Sequence, residues 1–295
     1  MKILVIGGNR FVGLRLCMEL DRDKNYDLAV VNRTGQSPHL KRAAIYKGDR
    51  RNLALSSVDR DFDVVVDFAN YDDVDTQSAL THFKKVGRYI FISTGSVYDS
   101  GPNRKEEDFK ASSWDMSAPM TRDDGQKYQD GKRRAEALFA AKSHFPVLAV
   151  RFPFILGPDD YTRRLEFHVE RMERNQTIYL PSSAAQISMI HAEDASHFLK
   201  WSLDQTFTGP LNVASGLPIR MSELLREIEM RVGHRPLLVQ APTPQNRSPY
   251  APQEDSFLNC EKLAKFGFKI RPITQWLGDL IDGARQESAP PKILH

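Results

Sequence analysis

The chain has 295 residues, of which 41% are hydrophobic and 27% charged, and its formal net charge is +3. This composition excludes a disordered chain, and the small basic excess is too weak for a dedicated nucleic-acid binder. The two cysteines match no metal or redox spacing, and no stretch resembles a signal peptide or approaches the roughly 18 apolar residues of a membrane span, so we expect a cytoplasmic protein.

Short apolar runs alternate with helical patterns along the first half of the chain. Near-continuous Val/Ile/Leu runs predict strands that are buried on both faces, at residues 3–6, 28–31, 64–68, 89–92 and 147–150. Helical patterns lie between several of them, at 12–20, 74–85 and 126–141. This alternation predicts βαβ units in a doubly wound parallel sheet, a Rossmann-type α/β fold.

The pattern becomes less regular after about residue 152. Helices are predicted at 164–175, 192–203, 221–232, 260–266 and 273–285. Strand-like runs lie at 187–190 and 211–213, and the Pro-, Gln- and Asn-rich stretch 240–252 is expected to be a loop. The tail from residue 287 is expected to be frayed.

The first predicted strand runs into the segment Gly7-Gly8-Asn9-Arg10-Phe11-Val12-Gly13, which opens a helical pattern. The start of such a helix offers free N–H groups and the positive end of its dipole, which together attract a pyrophosphate. Gly7 and Gly8 permit the tight turn, and Gly13 permits close packing of the helix on the strand. A turn whose glycines serve only steric needs is the alternative, because a lone glycine loop is weak evidence.

The end of the second strand indicates which dinucleotide would bind. An NAD-selective site has an acid there to hold the ribose hydroxyls. This chain has Asn32 followed by Arg33, and Arg10 stands where the loop usually has its middle glycine. Arginine pairs with the 2′-phosphate that an acid would repel. We therefore expect NADP(H) to be preferred, with NAD(H) as the second choice and an ordinary solvated charge as the alternative for Arg33.

A Tyr-x-x-x-Lys pair, Tyr128 and Lys132, lies in a predicted helix, where the i, i+4 spacing puts both side chains on one face. A nearby ammonium would lower the tyrosine pKa and permit acid–base chemistry near neutral pH. An ordinary surface pair is the alternative. Two features favour chemistry: Gly131 would allow close approach of a ligand, and strand 89–92 ends in Ser93-Thr94-Gly95-Ser96, at the sheet edge where ligands bind.

Together these residues resemble the extended branch of the short-chain dehydrogenase/reductase superfamily, the NAD-dependent epimerases and dehydratases, over nearly the whole chain. The segment Thr94-Gly95-Ser96-Val97-Tyr98 is similar to the family's [ST]-x-x-V-Y, which implies Thr94 as the catalytic hydroxyl, with Ser96 as the alternative. Tyr128 and Lys132 match its acid–base pair. The resemblance also implies further cofactor contacts, at Asp49, at Phe68 and Ala69, and at Pro153.

The activity implied by this resemblance is hydride transfer to or from a polar alcohol or ketone, such as a sugar derivative. Tyr128 would move the proton, Thr94 would polarise the oxygen, and Lys132 would tune Tyr128 and hold the nicotinamide ribose. The expected substrate contacts are Ser96, Tyr98, Arg163 and Arg164, with a solvated helix face as the alternative for the two arginines.

The resemblance further implies a division into two parts. Residues 1–151 and about 187–213 would build the dinucleotide-binding domain, and about 152–186 with 214–295 would form a smaller C-terminal α/β substrate lobe. Relatives often dimerise through helices near Tyr128 and at 74–85, so a homodimer is the implied assembly.

Two residues depart from the family pattern. Arg10 replaces a glycine, as in atypical members related to chloroplast stem-loop RNA-binding proteins, and Phe154 stands where many nucleotide-sugar enzymes have asparagine. The alternative function is therefore a dinucleotide-binding regulator or stem-loop RNA-binding relative with little or no catalysis. The basic residues are scattered in pairs, however, so nucleic acid is not the expected partner. His191 and His197 lack the spacing of a helical zinc site, so no metal is expected.

Overall fold

The computed structural model of the chain describes residues 1–55, 58–59, 61–117 and 124–288. The strands are β1 (Lys2–Ile6), β2 (Asp27–Asn32), β3 (Ala44–Lys47), β4 (Asp61–Asp67), β5 (Lys85–Thr94), β6 (Gly101–Arg104), β7 (Val147–Phe152), β8 (Phe154–Leu156), β9 (Thr177–Tyr179), β10 (Gln186–Ile187), β11 (Met189–His191), β12 (Gly209–Asn212), β13 (Ile219–Arg220), β14 (Leu237–Val239) and β15 (Ser256–Leu258). The helices are α1 (Phe11–Arg22), α2 (Asp73–His82), α3 (Asp124–Lys142), α4 (Arg164–Glu173), α5 (Ala192–Ser202), α6 (Met221–Val232), α7 (Glu261–Lys265) and α8 (Leu277–Ser288).

Seven parallel strands form the central sheet, in the order β3-β2-β1-β4-β5-β7-β12. The chain builds outward from β1 to β3 on one side and then from β4 to β12 on the other. Its topological switch point therefore lies between β1 and β4, where open α/β sheets bind their ligands. The predicted doubly wound parallel sheet is confirmed.

Apolar side chains alternate between the two faces of this sheet. Ile3 and Val5 of β1 join a core that includes Leu16 of α1 and Phe198 of α5, whereas Leu4 and Ile6 join a core on the other face with residues of α2 and α3. Because both faces are covered, the strands need the continuous apolar runs that made them visible in the sequence.

The remaining elements build smaller sheets and a further core. A four-stranded sheet has the order β13-β10-β15-β6, and β8–β11 and β9–β14 form two parallel pairs. Helices α4, α6 and α8 pack together around Val169, Ile228 and Ile281, all of which are fully buried. Every helix in the described ranges is too short or too polar to cross a membrane.

Several predicted bounds need correction. The helix predicted at 74–85 ends at His82, because Lys85 already begins β5. The single strand predicted at 187–190 is two short strands in different sheets, separated at Ser188, whose hydroxyl accepts a hydrogen bond from the Leu258 amide. The apolar-run pattern missed strand β3, since only four residues form it. Helix α8 continues to Ser288, and the rest of the predicted frayed tail lies outside the described residues.

Candidate functional site

The candidate site lies at the carboxyl edge of the central sheet. Because the strands are parallel, the residues that follow them meet along this edge: Gly7 after β1, Asn32 ending β2, Asp67 ending β4 and Thr94 ending β5. Helix α3 brings Tyr128 and Lys132 to the same edge, since Lys132 bonds to carbonyl groups next to the ends of β4 and β5.

The glycine loop fits an anion at the start of α1. Gly7 has a φ of +82°, and a Cβ on Gly8 would lie 2.5 Å from Cys17 Sγ and 2.7 Å from Val5 Cγ1. These glycines let α1 pack directly against β1. The first turn of α1 contains no acidic residue, and Arg10 at its N-cap makes no side-chain capping bond, so its N–H groups are available to a ligand.

Arg10 faces the segment 157–163, which runs across the start of α1. Its guanidinium lies 5.8 Å from the ring centroid of Tyr161, and the ring of Phe11 contacts Tyr161 edge-on. An ion pair between Arg15 and Asp159 ties the same segment to α1. Arg10 therefore lies against the loop that follows β8.

The side chain of Asn32 organises the loop after β2. Its Oδ1 accepts hydrogen bonds from the backbone N–H groups of Thr34 at 3.0 Å and Gly35 at 2.7 Å, and its Nδ2 donates to Asn9 Oδ1 at 3.1 Å. This amide thus joins the loop after β2 to the glycine loop, a role that the sequence pattern did not suggest. Arg33 is exposed and forms no hydrogen bond or ion pair with any described residue.

Four other expected cofactor contacts lie on the same edge. Asp49 is exposed just after β3, and the neighbouring Gly48 amide donates to Asn32 O at 3.0 Å. Phe68 is bonded to Ile6 O through its amide, and the Ala69 side chain lies 3.0 Å from where a Gly7 Cβ would be. Pro153 links β7 to β8 and is half-buried.

The structure brings Thr94, Tyr128 and Lys132 together. The Thr94 hydroxyl lies near enough to the Tyr128 hydroxyl to lower its pKa, and Lys132 Nζ lies 5.8 Å from the Tyr128 ring centroid. Thr94 Oγ1 also accepts a hydrogen bond from the Ser96 amide at 3.1 Å, which fixes its orientation. Ser96 itself is exposed.

Lys132 is only 2% exposed. Its Nζ donates to Asn70 O at 2.5 Å and to Ile92 O at 2.8 Å, and the rings of Tyr71 and Phe91 each lie 4.9 Å away. Burial lowers the pKa of Lys132 to about 8, because the charged form loses its hydration. The ammonium can therefore change its charge near physiological pH.

The pKa of Tyr128 is raised above its ordinary value, which corrects the expectation that a lysine lowers it. Although 41% of the residue is exposed, loss of solvent around the hydroxyl is the largest cause. The neighbouring Thr94 hydroxyl and the charge of Arg164 act in the opposite direction. Lys132 does not reverse the effect because its ammonium lies over the ring and is directed at two carbonyls.

The buried lysine makes a testable contribution to stability. Because its pKa is about 8 in the folded chain and 10.5 as a free side chain, the folded chain holds fewer protons than the unfolded one between these values. Stability should therefore rise with pH in this window, by about 2 kcal/mol from pH 7.5 to 9.5. Urea unfolding of the wild type and of Lys132→Met measures this, since the variant lacks the rise. If the free energy of unfolding of the wild type, minus that of Lys132→Met, stays flat or falls as the pH rises, the assignment is contradicted.

Gly131 serves packing rather than ligand access. A Cβ at this position would lie 2.5 Å from the carbonyl oxygen of Tyr71. The glycine therefore lets α3 approach the loop after β4, which brings Lys132 within reach of Asn70 O. This explains the glycine beside the Tyr-x-x-x-Lys pair better than the expected approach of a ligand.

The four expected substrate contacts divide into two groups. Tyr98 is buried, and its hydroxyl donates to Asn212 Oδ1 at 2.8 Å and accepts from Arg151 at 2.7 Å, so it does not face the cleft. Arg163 is exposed and pairs with Glu170 at 2.7 Å. Arg164 lies 5.6 Å from the Phe154 ring centroid and is near enough to Tyr128 to lower its pKa. Arg164 and Ser96 thus remain at the site, whereas the structure argues against Tyr98.

A buried polar network beneath this edge escaped the sequence interpretation. Arg151 is fully buried and binds Glu136 through two hydrogen bonds, at 3.0 and 2.6 Å. Glu136 also accepts from Ser93 at 2.6 Å, so the network joins β5, β7 and α3 just below Thr94. A charged residue inside an otherwise apolar strand run was the only signal of it.

Comparison with known proteins agrees with this architecture. No family model matches the chain. It is 28% identical to the chloroplast stem-loop binding protein of 41 kDa b of Arabidopsis thaliana over 221 residues, 67% of this chain; the match spans about half of that relative, 54% of its length.

Solved structures match almost the whole chain. The UDP-glucose 4-epimerase of Thermus thermophilus, solved with NAD, has a TM-score of 0.69 at 17% identity and covers 97% of this chain and 99% of its own. The UDP-glucuronic acid 4-epimerase of Bacillus cereus, also solved with NAD, has a TM-score of 0.71 at 19% identity, and the match covers 98% of each chain. The dTDP-glucose 4,6-dehydratase of Bacillus anthracis has a TM-score of 0.69 at 17% identity, and the match covers 98% of this chain and 97% of the dehydratase. The chain has the fold of these epimerases and dehydratases, and the resemblance to extended short-chain dehydrogenase/reductases is confirmed at the level of fold.

Proposed function

We propose that this protein is an NADP(H)-dependent oxidoreductase or epimerase of the extended short-chain dehydrogenase type, acting on a polar alcohol or ketone. The observation that carries the proposal is the meeting of Thr94, Tyr128 and Lys132 beside the glycine loop, at the carboxyl edge of a doubly wound sheet. A surface Tyr–Lys pair would not have a lysine that is buried and aimed at two carbonyls next to the ends of β4 and β5.

The residues present fit a dinucleotide. The uncapped first turn of α1, free of acids and closely packed on β1, would hold the pyrophosphate. Asp49, Phe68 and Ala69 would line the adenine half and the crossing loop, and Pro153 would lie beside the nicotinamide. When bound, the dinucleotide would supply or accept the hydride.

The chain's own groups would handle the proton and the substrate oxygen. The Tyr128 hydroxyl would donate a proton to that oxygen or remove one from it, and Thr94 would hold the oxygen by a hydrogen bond. Lys132 would bind the nicotinamide ribose, and its positive charge would favour the phenolate when Tyr128 gives up its proton. Arg164 would contact a polar group of the substrate at the mouth of the cleft.

The proposed domains follow from the same placement. Residues 1–151 and about 187–213 would form the dinucleotide domain, and about 152–186 with 214–295 the substrate lobe. Strand β12 in the central sheet and the core of α4, α6 and α8 support this division, although β6 of the first segment pairs with β15 of the second. The homodimer and the cytoplasmic location stay predictions.

The preference for NADP(H) rests on Arg33, which is exposed beside Asn32 and forms no hydrogen bond or ion pair with the described residues, although its charge acts on Tyr71. A charge-assisted contact with the 2′-phosphate should make NADPH bind about 10- to 100-fold tighter than NADH. Titration of the protein with each reduced dinucleotide, followed by fluorescence, measures this ratio. Arg33→Ala should remove most of the preference, and Arg235→Ala, a distant exposed arginine, should keep it. Equal or tighter binding of NADH to the wild type would contradict the proposal.

Arg10 can be separated from Arg33 in the same titrations. Because its guanidinium stacks on Tyr161, we infer that it acts near the pyrophosphate and not at the 2′-phosphate. Arg10→Ala should then weaken NADPH and NADH equally. A selective loss of NADPH binding would return Arg10 to the 2′-phosphate.

A second candidate is a dinucleotide-binding regulator or RNA-binding protein. The stem-loop binding protein that shares 28% identity with this chain is the observation that favours it. Such a protein should retain RNA at low salt and lose it steeply as salt rises. Absence of RNA retention at low salt would remove this candidate, and mass spectrometry of copurifying ligands would test both.

A further inference from the structure

A buried ion pair lies under the loop that joins β4 to α2. Arg50 Nη2 is 2.6 Å from Asp67 Oδ2, and the two side chains are 8% and 0% exposed. The hydroxyl of Tyr89 donates to the same carboxylate at 2.5 Å. The two other nitrogens of the Arg50 guanidinium group, Nε and Nη1, have no partner among the described residues, so Asp67 provides its counter-charge.

Asp67 also holds the loop that orients Lys132. Its other oxygen, Oδ1, accepts a hydrogen bond from the Ala69 amide at 3.0 Å. The next residue, Asn70, provides the carbonyl oxygen to which Lys132 Nζ donates. A continuous chain of contacts therefore runs from Arg50 through Asp67 and its loop to the lysine.

The same pair links two parts of the proposed cofactor site. Arg50 directly follows Asp49, the expected adenine contact, while the loop held by Asp67 contains Phe68 and Ala69. A salt bridge that only stabilised the core would not need to join the segment that carries Asp49 to the loop that carries Phe68 and Ala69.

Charges from several elements act on Lys132. Asp67 from β4, Asp75 from α2 and Glu136 from α3 each favour its protonated form, and Arg50 opposes it. The rings of Tyr71 and Tyr128 lie against the ammonium without adding charge at neutral pH. Asp67 and Arg50 thus affect the lysine with opposite signs, although they form one pair.

We propose that Asp67 and Arg50 are positioning residues that set both the orientation and the charge of Lys132. Asp67 aims the Asn70 carbonyl at the ammonium and supplies negative charge beneath it, and Arg50 limits that charge and fixes the loop carrying Asp49. This inference rests on the proposed function for its purpose, but its test needs neither substrate nor turnover.

The experiment follows the titration of Lys132 by NMR in the full chain labelled with [¹³Cε]lysine, with the signal assigned by its absence in Lys132→Met. Asp67→Asn, which keeps an acceptor for the Ala69 amide, should lower the Lys132 pKa by about one pH unit. Arg50→Gln should raise it by a smaller amount, because Arg50 acts on Lys132 more weakly than Asp67 does. Tyr89→Phe removes a hydrogen bond to Asp67 without changing charge, and should leave the pKa within a few tenths.

Opposite shifts distinguish positioning from a purely structural role. If the pair only held the core together, either substitution would loosen the site, admit water and raise the pKa towards 10.5. Shifts of the same sign, or no shift, would therefore overturn the proposal. If a single variant does not fold, Arg50→Gln combined with Asp67→Asn serves instead: because Asp67 acts on Lys132 more strongly than Arg50, removal of both charges should still lower the pKa, and a rise towards 10.5 would contradict the proposal. Failure of dinucleotide binding would refute the proposed function and leave these outcomes unchanged.

Discussion

Tyr128→Phe is expected to reduce turnover by about 10³-fold while leaving dinucleotide affinity unchanged. The substitution removes only the hydroxyl that would carry the proton, and a positioned acid or base contributes about 10² to 10⁴ to the rate. The ring that lies over Lys132 remains, so the lysine stays in place. Turnover would be measured from the absorbance of the reduced dinucleotide, with a substrate identified from the copurifying ligand.

Tyr71→Phe is the matched control for this variant. Tyr71 is another exposed tyrosine whose ring contacts Lys132, but its hydroxyl has no role in the proposed proton transfer. Its turnover should stay within a few-fold of the wild type. Unchanged turnover in Tyr128→Phe, with dinucleotide still bound, would refute the assignment of Tyr128 as the group that moves the proton.

Arg151→Met is expected to cost about 3–5 kcal/mol of unfolding free energy, a large part of the 5–15 kcal/mol typical of a folded domain. The side chains of Arg151 and Glu136 are 0% and 3% exposed, so the variant would leave a carboxylate buried without its counter-charge. It would also remove the donors that satisfy Tyr98 and the carbonyls of Glu106 and Phe109. Urea denaturation at pH 7 measures the loss.

The chain provides a control ion pair with nearly the same distance between nitrogen and oxygen. Arg163 and Glu170 are 2.7 Å apart, against 2.6 Å for the buried pair, but the Arg163 side chain is 51% exposed. Arg163→Met should therefore cost less than about 1 kcal/mol. Combining Arg151→Met with Glu136→Leu should recover much of the loss, because no lone charge stays buried. Equal losses of unfolding free energy in Arg151→Met and Arg163→Met would show that burial does not make the Arg151–Glu136 pair the more important one.

The central sheet could be predicted because the composition of its strands is distinctive. Burial on both faces requires continuous apolar runs, so the five strands predicted in the first half all lie in it, and β12 falls within two residues of its predicted position. Strand β3 and the strands of the small sheets are only two to four residues long. Such segments are fixed by their neighbours and carry too few residues for a period to show.

The site was predictable where chemistry requires a residue type and less so where packing decides. Thr94, Tyr128 and Lys132 were identified by motif, and the structure brings them together. The effect of burial on Tyr128 could not be anticipated, because spacing along a helix gives no information on solvent exposure. Arg50 and Asp67 were missed for a related reason: seventeen positions separate them in the sequence, and only the adjacency of the loops after β3 and β4 pairs them.

The contact behind Gly8 has a consequence for how this loop can vary. The space that a side chain at position 8 would need is filled from the interior by the sulfur of Cys17 and a methyl group of Val5. The loop is therefore restricted by the core at its back as well as by any ligand at its front. We expect position 8 to change only together with positions 5 and 17: an alanine at position 8 should be tolerated when both of those side chains are reduced, and should distort the start of α1 when either is kept.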